Sequence, residues 1–190
     1  MADLLPIFLD VAQRRVVLVG GGRVAAAKLP SLVSTGANVT VVAPEIREEI
    51  VRSPVEVVYR GFEPADLDGA WLVVAAATPL VNAEVARAAG ERRVFVNAVD
   101  DPANASAFMG GVVRRDGVTI AISTSGDAPA LSGLLREALD AVLPRELGKW
   151  VREARRQRVV WRRSRVPIER RRPLLLRALN RLYRLEDSRP

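Results

Sequence analysis

The chain of 190 residues contains no cysteine and no histidine. Without cysteine there is no disulfide framework, thiolate metal site or cysteine nucleophile. Without histidine there is no Ser-His-Asp triad, imidazole base or His-ligated zinc. No metal site is assigned, and the role of general base falls to a carboxylate. Aromatic residues are scarce at 5%. Trp150 and Trp161 lie among arginines, but no aromatic-interleaved platform or DNA-binding motif is present, so no nucleic-acid partner is expected. Long apolar runs are missing too. The longest, Trp71–Val81, carries Thr78 and Pro79 and is too short to span a bilayer. The N-terminus holds Asp3 and Asp10 and has no basic stretch, which does not read as a signal peptide. These features predict a cytoplasmic protein with no membrane partner.

What is present is a core-forming composition, 49% hydrophobic, with uneven charge. Residues 1–144 carry 13 basic and 17 acidic residues; residues 145–190 carry 16 basic and 5 acidic. The basic excess thus lies in the last quarter, and all of it but Lys149 is arginine. Arginine's planar fork suits carboxylates and phosphates. A solvated helical surface and an anion-binding role are both open for this tail.

Short apolar runs at 16–19, 39–43, 55–59, 71–77 and 94–99 read as strands. Segments 24–33 and 82–89 read as helices, with Pro30 expected to kink the first. Continuous apolar strands alternating with helices predict a doubly wound α/β domain whose parallel sheet is covered on both faces. After Asp101 the pattern changes. Strands at 108–114 and 118–123 join through Arg115-Asp116-Gly117, a hairpin-type turn. A helix at 130–143 follows, with Leu131, Leu134, Leu135, Ala138 and Val142 on its apolar side. Two tail helices carry the stripes Leu147, Trp150, Val151, Ala154 and Leu175, Leu179, Leu182, Leu185. Pro167 and Pro173 are expected to break the segment between them. The boundaries drawn are 1–104, 105–144 and 145–190.

Gly20-Gly21-Gly22-Arg23-Val24-Ala25 fits G-x-G-x-x-A directly after a strand and at a helix start. Gly20 permits the tight turn, Gly22 lets a pyrophosphate approach the backbone, and Ala25 allows close helix–strand packing. A helix N-terminus adds unpaired N–H groups and partial positive charge. This context predicts dinucleotide binding. The end of the second strand reads Val42-Ala43-Pro44, with Glu45 slightly late for holding ribose hydroxyls. Arg47 nearby suits a 2′-phosphate instead, so the preference for NAD over NADP rests on Glu45. Thr78, after the fourth strand, and Asn97, in the fifth, join the expected cofactor contacts.

Asp100 and Asp101 leave the C-terminal edge of the sheet, where open α/β sheets bind ligands. Asp100 is the candidate catalytic base; a turn-capping acid is the plainer alternative. The loop Ser123-Thr124-Ser125-Gly126 precedes a helix N-terminus and suits a substrate carboxylate. Ordinary capping by Ser125 or Asp127 is equally open.

Taken in order, these pieces resemble the precorrin-2 dehydrogenase and sirohydrochlorin ferrochelatase proteins of sirohaem synthesis. The resemblance covers about residues 4–145. It is carried by Leu5-Pro6-Ile7-Phe8-Leu9, by Val17-Leu18-Val19 with the glycine turn and Lys28, and by Gly36–Pro44. It continues in Val96–Asp101 and in Ile120–Gly126 with Pro129 and Leu134-Leu135-Arg136. It implies a Rossmann domain, a small α+β dimerisation region, a helical C-terminal region and a homodimer. It further implies NAD-dependent oxidation of precorrin-2 to sirohydrochlorin and, in some members, insertion of ferrous iron. The family's essential aspartate matches Asp100. Its cofactor contacts match Gly22, Arg23, Val24, Pro44 and Glu45. The chain departs from the family at Thr78-Pro79-Leu80 and at Met109 after Phe108. The rival expectation is a non-catalytic NAD(H)-sensing module that binds a partner through its basic tail.

Overall fold

The computed structural model describes residues 4–186. It divides into two compact units, residues 1–110 with 123–129, and residues 111–122 with 130–190. The boundaries drawn from sequence at 104 and 144 do not coincide with this division.

The first unit is a five-stranded parallel sheet in the order β3-β2-β1-β4-β5. Its strands are β1 (Arg15–Val19), β2 (Asn38–Val42), β3 (Glu56–Val58), β4 (Leu72–Ala75) and β5 (Phe95–Ala98). The helices are α1 (Arg23–Val33), the short α2 (Glu48–Val51) and α3 (Pro79–Arg92). Alternate side chains of each strand feed two cores. Val16, Leu18, Val41 and Val74 pack with Ala25, Leu29 and Leu32 of α1. Val17, Val19, Val73 and Ala75 pack with Val85, Ala88 and Ala89 of α3. Two covered faces explain why the central strands run apolar without alternation through residues 16–19 and Leu72–Ala75. Strand order reverses between β1 and β4, which opens a crevice at their carboxyl ends.

Pro30 does not interrupt α1. It is exposed, and the Ser34 N–H still reaches its carbonyl at 3.0 Å. On the solvent side, water can serve the carbonyl that loses its donor. The helix expected from Asn82 starts at Pro79. Proline at the first helical position loses no hydrogen bond that it would have made. The strand expected from Phe108 starts only at Gly111. Residues 106–107 instead cover the edge of β5. The N–H groups of Ser106 and Ala107 both donate to the Val96 carbonyl, at 2.8 and 2.9 Å.

The second unit contains the antiparallel pair β6 (Gly111–Arg115) and β7 (Val118–Ile122), then α4 (Pro129–Val142), α5 (Leu147–Arg163) and α6 (Ile168–Glu186). Asp116 and Gly117 both take positive φ, +51° and +84°. An Asp-Gly hairpin turn requires this of both central residues. Asp116 also accepts the Gly148 N–H at 3.1 Å and so caps α5 from the hairpin. The tail helices pack on one another, with Leu147 and Trp161 buried and Leu175 and Leu179 half-buried. The side chains of Leu182 and Leu185 lie outside those described. Pro173 is a correction: it sits inside α6 rather than breaking it. It is exposed. Helical φ is the value that its ring already imposes. The break comes at Ser164–Pro167 alone.

Candidate active site

Three glycines form the turn beside the crevice, each in a different environment. Gly20 has φ +123°, and its N–H donates to the Val42 carbonyl at 2.9 Å. That backbone region is closed to other residues. A Cβ there would stand 2.3 Å from the Ala76 carbonyl oxygen. Gly21 is buried beneath the loop after β2. A Cβ on it would stand 2.0 Å from the Glu45 carbonyl oxygen, and its own carbonyl accepts the Arg47 N–H at 3.0 Å. Gly22 differs from both. Its φ of −86° is ordinary, it is exposed, and a Cβ on it would meet nothing within 4 Å. Among the described residues nothing demands glycine at 22, and the open space there leaves room for a group to lie against the backbone.

Gly22 is also the N-cap of α1. No side chain caps it, no acidic residue stands in the first turn, and the Ala26 N–H reaches its carbonyl at 3.0 Å. The N–H groups ahead of Ala26 therefore face outward, as a bound diphosphate needs. The residues fit a dinucleotide. Ala25, fully buried, gives the close approach of α1 to the sheet.

Beside this turn lies a cleft of about 260 Å³, lined by Val24, Ala76, Ala77, Pro79, Asn82, Val99, Asp100 and Asp101. The carboxyl ends of β4 and β5 and the starts of α1 and α3 build it. Asp100 is exposed and takes φ +58°. That left-handed conformation costs a non-glycine residue about 1 kcal/mol, with aspartate among the tolerant types. The two adjacent acids are treated differently. Asp101 accepts the Asn104 side-chain N–H at 2.8 Å and anchors the turn after β5. Among the described residues, no donor is bonded to the Asp100 carboxylate.

Of the predicted cofactor residues, Gly20, Gly21, Gly22, Arg23 and Val24 form the turn and the helix start, with Val24 reaching the cleft. Pro44 and Glu45 are exposed on the loop that packs over Gly21. Thr78 is the exposed N-cap of α3. Asn97 is buried, and its side-chain N–H donates to the Ala107 carbonyl at 2.9 Å, so it fastens the segment covering β5. It is not among the residues lining the cleft. Arg47, the candidate for a 2′-phosphate, pairs with Glu49 at 2.8 Å.

Side chains in the loop of Ser123, Thr124, Ser125 and Gly126 serve nearby backbone. Ser123 Oγ accepts the Ser125 N–H at 3.1 Å, and Thr124 Oγ1 accepts the Ala128 N–H at 3.3 Å. Thr124, not Ser125 or Asp127, thus serves the N–H just ahead of α4. Gly126, at φ +86°, stacks on Pro102 and Phe108, which places this loop against the segment that carries Asp101. Sequence reasoning misses Asn82, which reads simply as the first residue of a helix. Its polarity in an otherwise apolar, alanine-rich segment is the available signal.

A sequence model of the family described as "Putative NAD(P)-binding" matches residues 7–111, more than half of the chain. The chain belongs to this NAD(P)-binding family. Siroheme synthase 3 of Aeromonas hydrophila is 44% identical over 151 residues, 77% of this chain and 32% of its own length. The siroheme synthase of Photorhabdus laumondii is 41% identical over 175 residues, 86% of this chain and 37% of its own. The chain thus spans about a third of the length of the curated relatives it matches. Among solved structures, SirC, a precorrin-2 dehydrogenase, superposes with a TM-score of 0.73 at 24% identity. That likeness covers 96% of this chain and 92% of SirC, and it shows a common fold. The sequence resemblance is borne out by these relatives, and the glycine turn and cleft stand inside the NAD(P)-binding segment.

Proposed function

We propose that this NAD(P)-binding protein is a dehydrogenase that oxidises precorrin-2 to sirohydrochlorin. The observation that carries the reading is the cleft itself. It joins the start of α1, fit for a diphosphate, to Asp100, whose carboxylate has no bonded partner among the described residues. NAD+ bound there supplies the hydride acceptor, and precorrin-2 gives up one hydride and one proton. The turn at Gly20–Gly22 and the first N–H groups of α1 hold the diphosphate. Asp100 takes the proton lost from the macrocycle. Ser123–Gly126 receives a substrate carboxylate. The exposed arginines of α5 and α6 offset the eight carboxylates of the substrate and speed its capture.

NAD is favoured over NADP by charge. Arg47 and Arg52 are already paired with Glu49 and Glu48. Glu45 adds a negative charge where a 2′-phosphate would lie. Ferrous-iron insertion is proposed for the same cleft as a second step, with iron as substrate and Asp100 passing the two displaced pyrrole protons, one at a time, to solvent.

The protein is further read as a homodimer of the cytoplasm. Leu131, Leu134 and Val142 of α4 are 48%, 64% and 76% exposed. They form an apolar stripe that a second copy would cover. No helix among the described residues is long and apolar enough to cross a membrane.

The test is incubation with precorrin-2 and NAD+, following NADH absorbance and the macrocycle spectrum, then repetition with Asp100→Ala. Turnover that the substitution abolishes, with NAD+ affinity kept, supports the reading. A wild type that binds NAD+ but never turns over refutes it in favour of a sensing module. Ferrous ion added to sirohydrochlorin reads the second step separately.

A further inference from the structure

Asn82 is the one cleft-lining residue that is polar, uncharged and deeply buried, with 4% of its surface exposed. It holds the turn after β4 at two atoms. Oδ1 accepts the Ala77 N–H at 3.0 Å, and the Asn82 backbone N–H donates to the Thr78 carbonyl at 2.9 Å. Together these bonds fix the residues that leave β4, next to the Ala76 carbonyl that lies under Gly20. The bond from Ala77 also sets the orientation of the carboxamide, because only the oxygen can accept it. Nδ2 is thereby left as a pair of donors, and no acceptor among the described residues meets it. The atom is not sealed in the core, since among the described residues no fully buried side-chain nitrogen or oxygen lacks a partner. It opens on the cleft that the side chain lines.

A donor on a largely buried side chain that opens only on the cleft is held ready for an acceptor that enters the cleft. The wall around it is apolar on one side (Val24, Ala77, Pro79, Val99) and acidic on the other (Asp100). The diphosphate cradle lies at the start of α1 and the candidate base is Asp100, so the segment of ligand between them passes Asn82. In a dinucleotide that segment is the nicotinamide-side ribose, whose hydroxyl oxygens are acceptors.

We propose that Asn82 is a cofactor-binding residue whose Nδ2 donates to a hydroxyl of the nicotinamide-side ribose. The proposal rests on the dinucleotide reading of the cleft. It adds a contact at a distance from the glycine turn and makes the ribose, not only the diphosphate, a point of recognition.

The test compares affinities of the full chain for ADP, ADP-ribose and NAD+ by calorimetry, with no turnover involved. Asn82→Asp keeps the acceptor for Ala77 and removes the donor. Asn82→Leu removes both without adding charge. The expected result is a loss of about five- to tenfold for ADP-ribose and NAD+ in both variants, with ADP within about twofold of wild type. Unchanged affinity for all three ligands in folded variants overturns the proposal. An equal loss for ADP also overturns it, because Asn82 would then act only by shaping the turn. If one variant fails to melt cooperatively, the other carries the comparison. A wild type that binds none of the three defeats the dinucleotide reading itself, a result distinct from failure at Asn82.

Discussion

The glycine turn separates two roles that the motif G-x-G-x-x-A merges. Gly20 and Gly21 are glycine because backbone lies where a Cβ would be, at 2.3 and 2.0 Å. Gly20→Ala and Gly21→Ala are therefore folding variants, each expected to cost about 2 kcal/mol or more, read from chemical denaturation. At Gly22 an added methyl meets no atom of the described residues within 4 Å. Gly22→Ala is therefore expected to leave stability within about 0.5 kcal/mol. It should weaken NAD+ binding by at least about tenfold, since its methyl projects where the diphosphate must come close. A Gly22→Ala protein with wild-type affinity would falsify the placement of the diphosphate. Legibility of the site varies in the same way. Gly20, Gly22 and Asp100 are readable because turn geometry and position after a strand leave a local pattern. Asn82 is not, because its importance comes from the Ala77 N–H five residues back and from a cleft assembled by four elements. Asn97, expected among the cofactor contacts, has a side chain that serves Ala107, ten residues away, and nothing nearby in the chain signals that bond.

At the level of elements, the strands are legible because burial on both faces leaves apolar runs such as residues 16–19 and Leu72–Ala75, and their edges are not. Strand β4 is expected over 71–77 and forms over Leu72–Ala75; beyond it Ala76 and Ala77 turn away to meet Gly20 and Asn82. The connection from β3 to β4 also hides a device. A 3-10 turn at Pro64–Leu67 carries Asp66, which is buried. Its carboxylate accepts N–H groups from the two terminal nitrogens of Arg60, Nη1 and Nη2, at 2.8 and 2.6 Å, and the Glu63 N–H at 2.9 Å. Burial pushes the Asp66 carboxyl up. The bonds from Arg60 and Glu63, with the charges of Arg60 and Arg15, outweigh it and hold the group below the ordinary carboxylate value. A carboxyl lowered on folding stabilises the fold above its unfolded value, and that contribution is lost as pH falls through the folded one. Asp66→Asn is expected to cost about 1–3 kcal/mol at neutral pH. The gap between wild type and variant should close as the medium is acidified below the usual carboxylate range. Urea melts at neutral, mildly acidic and strongly acidic pH would read this directly.

For the whole molecule, α4 shows how a pattern can be read correctly and its meaning still lie elsewhere. Leu131, Leu134, Leu135 and Val142 do share a face, as the spacing predicts, yet within one chain that face is open to solvent. The helix meets its own hairpin by its other side, where Ser132 is buried and a Cβ on Gly111 would stand 2.7 Å from the Ser132 carbonyl oxygen. Small residues bring the backbones together there, which leaves the leucines for another surface. Periodicity reports that a helix has an apolar side but not whether its own chain covers it. The homodimer reading makes a definite prediction. The wild-type chain should run in light scattering at twice its 20.7 kDa, and Leu134→Glu should run at the single-chain mass. An unpaired carboxylate placed in an apolar interface costs several kcal/mol, enough to dissociate a micromolar dimer. Because Leu134 is already 64% exposed in the single chain, the substitution should leave the melting of the parallel-sheet unit and its NAD+ affinity unchanged. A wild type that stays at the single-chain mass at every concentration would instead leave the stripe to a different partner and remove the homodimer from the functional reading.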